Sequence, residues 1–451
     1  MPSPSRSSSL RARNPLPEGT LAVGAGLLVS GLSSYIFLKL VRAGIGSDAG
    51  TEPVNQLWFL TFLLAPGFFL PVEQEVGRAL AHRRALGQGG GPVIRRAALL
   101  ALGLAGITTV GLVAAGPTLV HQLFADSWAL LVCLIVAFLA WASGHLARGV
   151  LSGSGRFGPY GLLLGTDGAV RVAAGIVLTI GHVKAPAAWG LAVALPPIVA
   201  VLVATRGQRD VTAPGPEAHW SELTPNLGWL VAGSVLAAVL VNGGPIVAGL
   251  LKTKEQGALV SHFTYAVIIT RIPLFLFQAV QAALLPKLAQ LAARGALDEF
   301  RSGFRKLVEV VAVVGVLGVL GALVVGTRAV KLFSPDAVLS RRTVGLLALA
   351  SALYMLGLAM AQALIALHGH ARVALGWLVS VVVFGVVTAV WGHDLLLRVE
   401  MGLVLGSGAA VVAFAWSYQV LAHRQLSPTS EPEPALGDAA TLAGPLPFDE
   451  A

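Results

Sequence analysis

The chain has almost no cysteine: its 451 residues include one, Cys133, which excludes an internal disulfide and a cysteine-based metal cluster. Charge is scarce too. Asp, Glu, Lys and Arg make up 12% of the residues, about half the share of a soluble domain, too little solvated surface for an ordinary cytosolic enzyme. A hydrophobic content of 55% excludes a disordered chain. No nucleotide-binding P-loop or dinucleotide fingerprint occurs; GQGGG (87–91) lacks GK[ST] and reads as a flexible loop. The histidines show no HExxH-like spacing, so neither a metal site nor a cofactor is expected. No nucleophile–base pair suggests an enzyme. What the chain does have is apolar length, with a mean hydropathy of +0.78 and 53 glycines, which suit close helix packing in lipid. The net charge of +9 points to cytoplasmic loops beside an anionic leaflet rather than to nucleic acid.

A spanning helix needs about 20 mostly apolar residues. About twelve such stretches lie near 19–44, 54–76, 95–116, 128–150, 159–182, 187–205, 227–251, 259–290, 307–330, 343–367, 373–392 and 401–422. The first follows Arg6, Arg11 and Arg13 as a signal peptide would, but it is too long for one and is taken as a retained span. With the N-terminus inside, about nineteen Lys and Arg fall on the inner side and about ten on the outer. The positive-inside rule then places both ends of this multi-pass chain in the cytoplasm.

The expected organisation is a basic cytoplasmic tail (1–18), a six-helix lobe (19–205), a cytoplasmic linker (206–226) marked by Pro214, Gly215 and Pro216, a second six-helix lobe (227–422) and a disordered tail (423–451). The halves carry traces of a repeat. Pro66 and Pro273 stand near the middle of the second and eighth spans, with Gln74 and Gln281 at equal distance beyond them. An even number of spans per half makes the repeat parallel, around an axis along the membrane normal. The fold class is therefore an all-α polytopic bundle of about twelve helices, in two parallel-related lobes around a central cavity. The prolines are candidate hinges.

Charges within the hydrocarbon are costly and face cavities or partners. Arg271 lies near the middle of the eighth span, just before Pro273. It reads either as an anion-binding guanidinium or as a structural arginine capping carbonyls freed at the kink. Arg171 has Asp167 one turn before it, so the two can pair on one helix face; they line the cavity or stabilise the bundle. Gln278, Gln281 and Asn242 are neutral hydrogen-bonding groups at membrane depth, suited to sugar hydroxyls or to interhelical bonds. Glu73, Glu75 and Arg78 near the inner end of the second span, and Arg42 at the outer end of the first, are candidates for a gate or an interfacial ion network. The glycines 158, 161, 165 and 168 form a packing stripe, and LDEFRSGFRKLVE (297–309) looks like an amphipathic piece lying on the inner leaflet.

The segment FTYAVIITRIPLFLFQAVQAALLPKLAQL (263–291) resembles the eighth-span segment of the polysaccharide (lipid-linked oligosaccharide) flippases, in the superfamily of the multidrug and toxin exporters. The shared pattern is a Tyr-Ala pair (265–266), Arg-x-Pro (271–273) and Leu-Pro (285–286). LVRAGIG (40–46) is similar to that family's Ala-Arg-x-Leu-Gly, with Arg42 at the arginine position. Family members often carry an acid in span seven where this chain has Asn242, so the resemblance brings no ion-coupling role to that position. It implies two lobes in a V, moving a polyprenyl-diphosphate-linked oligosaccharide outward, with Arg271 and Arg171 meeting the diphosphate. Partners would be the lipid-linked glycan, membrane lipids and glycan polymerases or cell-wall assembly proteins. An interior-negative potential favours outward movement of an anion by about 2.3 kcal/mol per charge per 100 mV.

A peptidoglycan-precursor flippase and a non-transporting scaffold of a cell-wall assembly complex are the competing readings. A cationic-drug exporter fits less well, because the first span holds no acid and Asp167 has Arg171 to neutralise it.

Overall fold

The computed structural model describes residues 20–225, 227–274, 277, 296–367 and 369–426. Among these it contains helices and turns, no strand, and twelve helices long and apolar enough to cross a membrane. They are α1 (Thr20–Ile45), α2 (Asp48–Ala85), α3 (Gly91–Ala114), α4 (Trp128–Gly153), α5 (Phe157–Ile180), α6 (Pro186–Thr205), α7 (Leu227–Leu251), α8 (Lys254–Leu274), α9 (Asp298–Lys331), α10 (Arg341–Ala366), α11 (His370–Val390) and α12 (Leu395–Leu426). The expected all-α, twelve-helix architecture holds. Each span reverses the one before it, so Thr20 and Leu426 lie on one side of the bundle, here the terminal side, and the α1–α2 turn lies on the far side.

The packing order carries the repeat. In the N-terminal lobe α1 runs along α5, α2 and α3 along α4, and α6 against α4 and α5. Shifted by six, α7 runs along α11, α8 and α9 along α10, and α12 against α10 and α11. The lobes meet where α2 packs along α7 and α8.

Local chemistry explains the departures from regularity. α6 is broken after Ala194, because Pro196 and Pro197 supply no amide hydrogens to the preceding turn. α2 has 38 residues, about 57 Å of helix, well beyond the hydrocarbon thickness. It stays helical through Pro53, Pro66 and Pro71. The close contact of α1 with α5 depends on part of the glycine stripe. A Cβ on Gly161 would strike the Ala22 carbonyl, and one on Gly168 would lie 3.0 Å from the Ser30 Cα. Among the described residues, a Cβ on Gly158 or Gly165 would meet nothing within 4 Å, so these two take no part.

Two segments differ from their sequence reading. Residues 297–309 do not lie flat on a leaflet. They begin the continuous helix Leu297–Gly321, with Phe300, Phe304 and Leu307 buried and Phe304 against Tyr418 of α12 at 5.0 Å. The glycine run 87–91 is also not a free loop. The segment 211–215 lies directly on it: the Gly91 amide donates to the Ala213 carbonyl at 3.0 Å, and a Cβ on Gly91 would stand 2.7 Å from the Thr212 oxygen. Backbone meets backbone there, which only glycine permits. Ala218 and Leu223 complete the docking by packing with Val72, Val76 and Leu80 of α2.

Candidate functional site at the lobe interface

α8 loses regular structure at Arg271. Pro273 disfavours helical geometry just before it, and the Arg271 amide closes a tight turn onto the Ile268 carbonyl at 3.2 Å. The guanidinium therefore leaves a one-residue break in α8, between Thr270 and the helical residues 272–274, at the seam between the lobes. It sits over the Phe59 ring of α2, 5.3 Å from the centroid, and its Nη1 donates to Asn242 Oδ1 of α7 at 3.1 Å. Tyr35 of α1 is bound to the same turn, its hydroxyl donating to the Ile268 carbonyl at 3.3 Å. Arg271 is only part-buried, and among the described residues no carboxylate pairs with it.

Asn242 also reaches across the seam. Pro66 has no amide hydrogen, so the Phe62 carbonyl four residues earlier has no helical partner; Asn242 Nδ2 donates to it at 3.1 Å. The Ser234 hydroxyl donates to the Pro66 carbonyl at 3.2 Å. Pro66 thus marks a place where the lobes bond to each other.

Arg171 lies elsewhere. It is 1% exposed, its Nη2 donates to both oxygens of Asp167 at 2.8 and 2.7 Å, and it sits 5.3 Å over the Trp58 ring. Trp58 and Phe59 are neighbours on α2, about 100° apart around the helix, so the two arginines flank α2 on different faces. Arg171 belongs to the N-lobe interior, beside the ring cluster of Trp58, Phe37, Phe62 and Trp141. Gln278 and Gln281 fall outside the described residues.

Of the candidate gate residues, Glu73 ties three helices together near the terminal side. It meets His145 at 2.8 Å and Arg148 at 3.2 Å, both on α4, and accepts from the Tyr160 hydroxyl of α5 at 3.0 Å. Glu75 pairs with Arg78 at 2.6 Å on an exposed face, and Arg78 also donates to the Glu222 carbonyl. Arg83, on the same helix, forks onto Glu222 at 2.9 Å to each oxygen and onto the carbonyls of Pro216 and Glu217. The Arg83 guanidinium holds the Glu222 carboxyl below the usual carboxylate range.

Arg42 belongs to a far-side cluster that sequence reasoning passed over. Asp48 receives Arg42 at 2.5 Å, the Ser334 hydroxyl at 2.7 Å and His262 at 3.1 Å. Next to it Thr51 meets Ser261 and Tyr265 at 3.0 and 3.2 Å, and Asn55 donates to Ser261 at 3.1 Å. Glu52 pairs with Lys252, and Gln56 donates to the Pro245 carbonyl at 3.0 Å. These bonds close the far side between α2 and the C-terminal lobe. Asp48, Thr51, Glu52 and Asn55 recur at helical spacing in DAGTEPVNQ, a polar stripe whose meaning depends on that segment being helical. Among the described residues, no group of three His, Cys, Asp or Glu is placed to hold a metal ion.

No protein-family model and no curated protein matches the sequence. Solved structures do. An inward-facing multidrug resistance MATE family transporter of the MOP superfamily superposes with a TM-score of 0.67 at 15% identity, over 93% of this chain and 98% of that one. An outward-facing MATE transporter gives 0.62 at 14% identity, covering 90% and 94%. A MATE crystallised with MaL6 gives 0.65 at 14% identity, covering 90% and 97%. The fold is that of the MATE transporters, in a multi-pass membrane protein.

Proposed function

We propose that the chain is an alternating-access flippase. It moves a polyprenyl-diphosphate-linked oligosaccharide from the inner to the outer leaflet for cell-surface polysaccharide assembly, with both termini in the cytoplasm. One observation carries the reading: the charge balance of the interior. Among the described residues, four of the five buried acids are closely paired with a cation, Asp48 with Arg42, Glu52 with Lys252, Glu73 with Arg148 and Asp167 with Arg171, while Glu400 has only the exposed Arg342 at 3.9 Å. At the seam between the lobes, Arg271 is a part-buried cation with no acid among the described residues; Arg372 and Arg398 also have none, but they lie in the first turns of α11 and α12 and donate to the Ser417 and Thr388 carbonyls. A cargo that completes this balance is an anion, and a guanidinium suits phosphate oxygens. The same balance speaks against a cationic-drug exporter, although the structural relatives include proteins named for multidrug resistance.

The closed far-side cluster fits an inward-facing state, in which the cargo enters from the terminal side. Lobe rocking would then open the Asp48–His262 seam. The test is reconstitution in liposomes with a fluorescent polyprenyl-diphosphate N-acetylglucosamine, scored by accessibility of the probe to an external reductant. Movement that requires Arg271 supports the proposal; equal movement in protein-free liposomes removes it. A scaffold would recruit envelope-assembly partners unchanged in the Arg271→Ala variant.

A further inference from the structure

We infer that Asn242 is the residue that passes anion occupancy at Arg271 to the seam between the lobes. The inference rests on the flippase reading and specifies how that site is regulated. Three groups form one chain of bonds: the Arg271 guanidinium donates to Asn242 Oδ1, and Asn242 Nδ2 donates to the Phe62 carbonyl. They come from α8, α7 and α2, so the chain begins at the anion site and ends in the other lobe. Asn242 is 8% exposed, which leaves little water to replace either bond.

The amide is suited to this position. Arg271 offers only donors and the Phe62 carbonyl only an acceptor, so a single side chain must accept at one end and donate at the other. One orientation of an amide does this. An aspartate would have no hydrogen for Phe62 and would neutralise Arg271, closing it to anions. The Phe62 carbonyl needs a partner because Pro66 has removed its own. The proline therefore creates the acceptor by which the far end of the relay holds the N-terminal lobe.

The direction of the response follows from acceptor strength. A phosphate oxygen is a stronger acceptor than an amide oxygen, so a bound anion draws the guanidinium away from Asn242. The amide then loses the donor that polarised it, and its own donation to Phe62 weakens. The bond across the seam is loosened when cargo is present and remade when cargo leaves. Such a device discourages rocking of the empty transporter.

The test uses spin labels at Lys184→Cys and Val338→Cys, on exposed far-side loops of the two lobes, with buried Cys133 left in place. Interlobe distances are measured in nanodiscs with and without fluorescent polyprenyl-diphosphate N-acetylglucosamine. Binding and liposome transport are measured in parallel. The wild-type distances should shift on binding. Asn242→Ala should bind the probe within about threefold of wild type, yet lose the shift and transport about tenfold more slowly. Asn242→Asp, nearly the same shape, should bind about tenfold more weakly, an outcome that a packing role would not produce. If Asn242→Ala keeps both the shift and the rate, or loses binding and shift together, the relay is wrong and the flippase reading survives. A wild-type protein that neither binds nor moves the probe overturns both.

Discussion

Removing the carboxylate of Asp167 tests the view that Arg171 is a buried structural cation. Arg171 is 1% exposed and satisfies one nitrogen twice, at 2.8 and 2.7 Å from the two Asp167 oxygens, while Nε and Nη1 have no hydrogen-bond partner among the described residues. In Asp167→Ala only the Trp58 ring, 5.3 Å away, would remain to stabilise the charge. A cation–π contact contributes about 1–2 kcal/mol when desolvated, whereas an orphaned buried partner costs about 3–5 kcal/mol, so the ring cannot compensate. Asp167→Ala should therefore lose about 3 kcal/mol or more in an SDS-unfolding titration in mixed micelles. Asp167→Leu with Arg171→Met removes both charges while roughly keeping volume, and should stay within about 1 kcal/mol of wild type or exceed it. The double variant should also transport, because the pair lies on the other face of α2 from Arg271. A single variant that unfolds like wild type, or a double variant whose loss is the sum of the singles, would refute the reasoning.

Breaking the Glu73 clamp by Glu73→Ala leaves Arg148 and His145 buried without their acid, and should cost about 3 kcal/mol in the same titration. Gly91→Val should displace the segment 211–215, since its first carbon would stand 2.7 Å from the Thr212 oxygen; limited proteolysis should then cut between 206 and 226 faster than in wild type. The Arg83–Glu222 fork predicts a pH dependence for the same cleavage. A carboxyl lowered in the folded state contributes fully above its ordinary value of about 4.3 and loses that contribution as pH falls through the lowered one. Wild type should resist cutting at neutral pH and yield in acid, whereas Glu222→Gln should be cut at neutral pH with little further change.

The spans were readable because lipid demands long apolar runs, and the boundaries failed where polar residues are buried against protein instead. α2 was expected over 54–76 but runs from Asp48 to Ala85. Its first turns carry Thr51, Glu52, Asn55 and Gln56 into the far-side seam, and its last carry Arg83 onto Glu222. Hydropathy counts such residues as solvated. The glycine run 87–91 reads alone as a flexible loop and the Pro-Gly-Pro segment near 215 as a linker; they fit each other, a relation between segments more than a hundred residues apart. Among the site residues, the spacing of Asp167 and Arg171 announced their pair. The face of α2 they occupy was not legible, because it depends on which neighbour each side of that helix meets. Asn242 stood out as a polar group at depth, but its partners Arg271 and Phe62 lie on two other helices.

Transport of a polyprenyl-diphosphate-linked sugar by the Arg271→Gln variant, measured in liposomes beside the charge-free Asp167→Leu, Arg171→Met protein, is the decisive measurement. The uncompensated guanidinium at the seam predicts that Arg271→Gln, folded and inserted normally, moves the lipid at least about tenfold more slowly, while the other variant keeps its rate. Undiminished movement by Arg271→Gln would contradict the account.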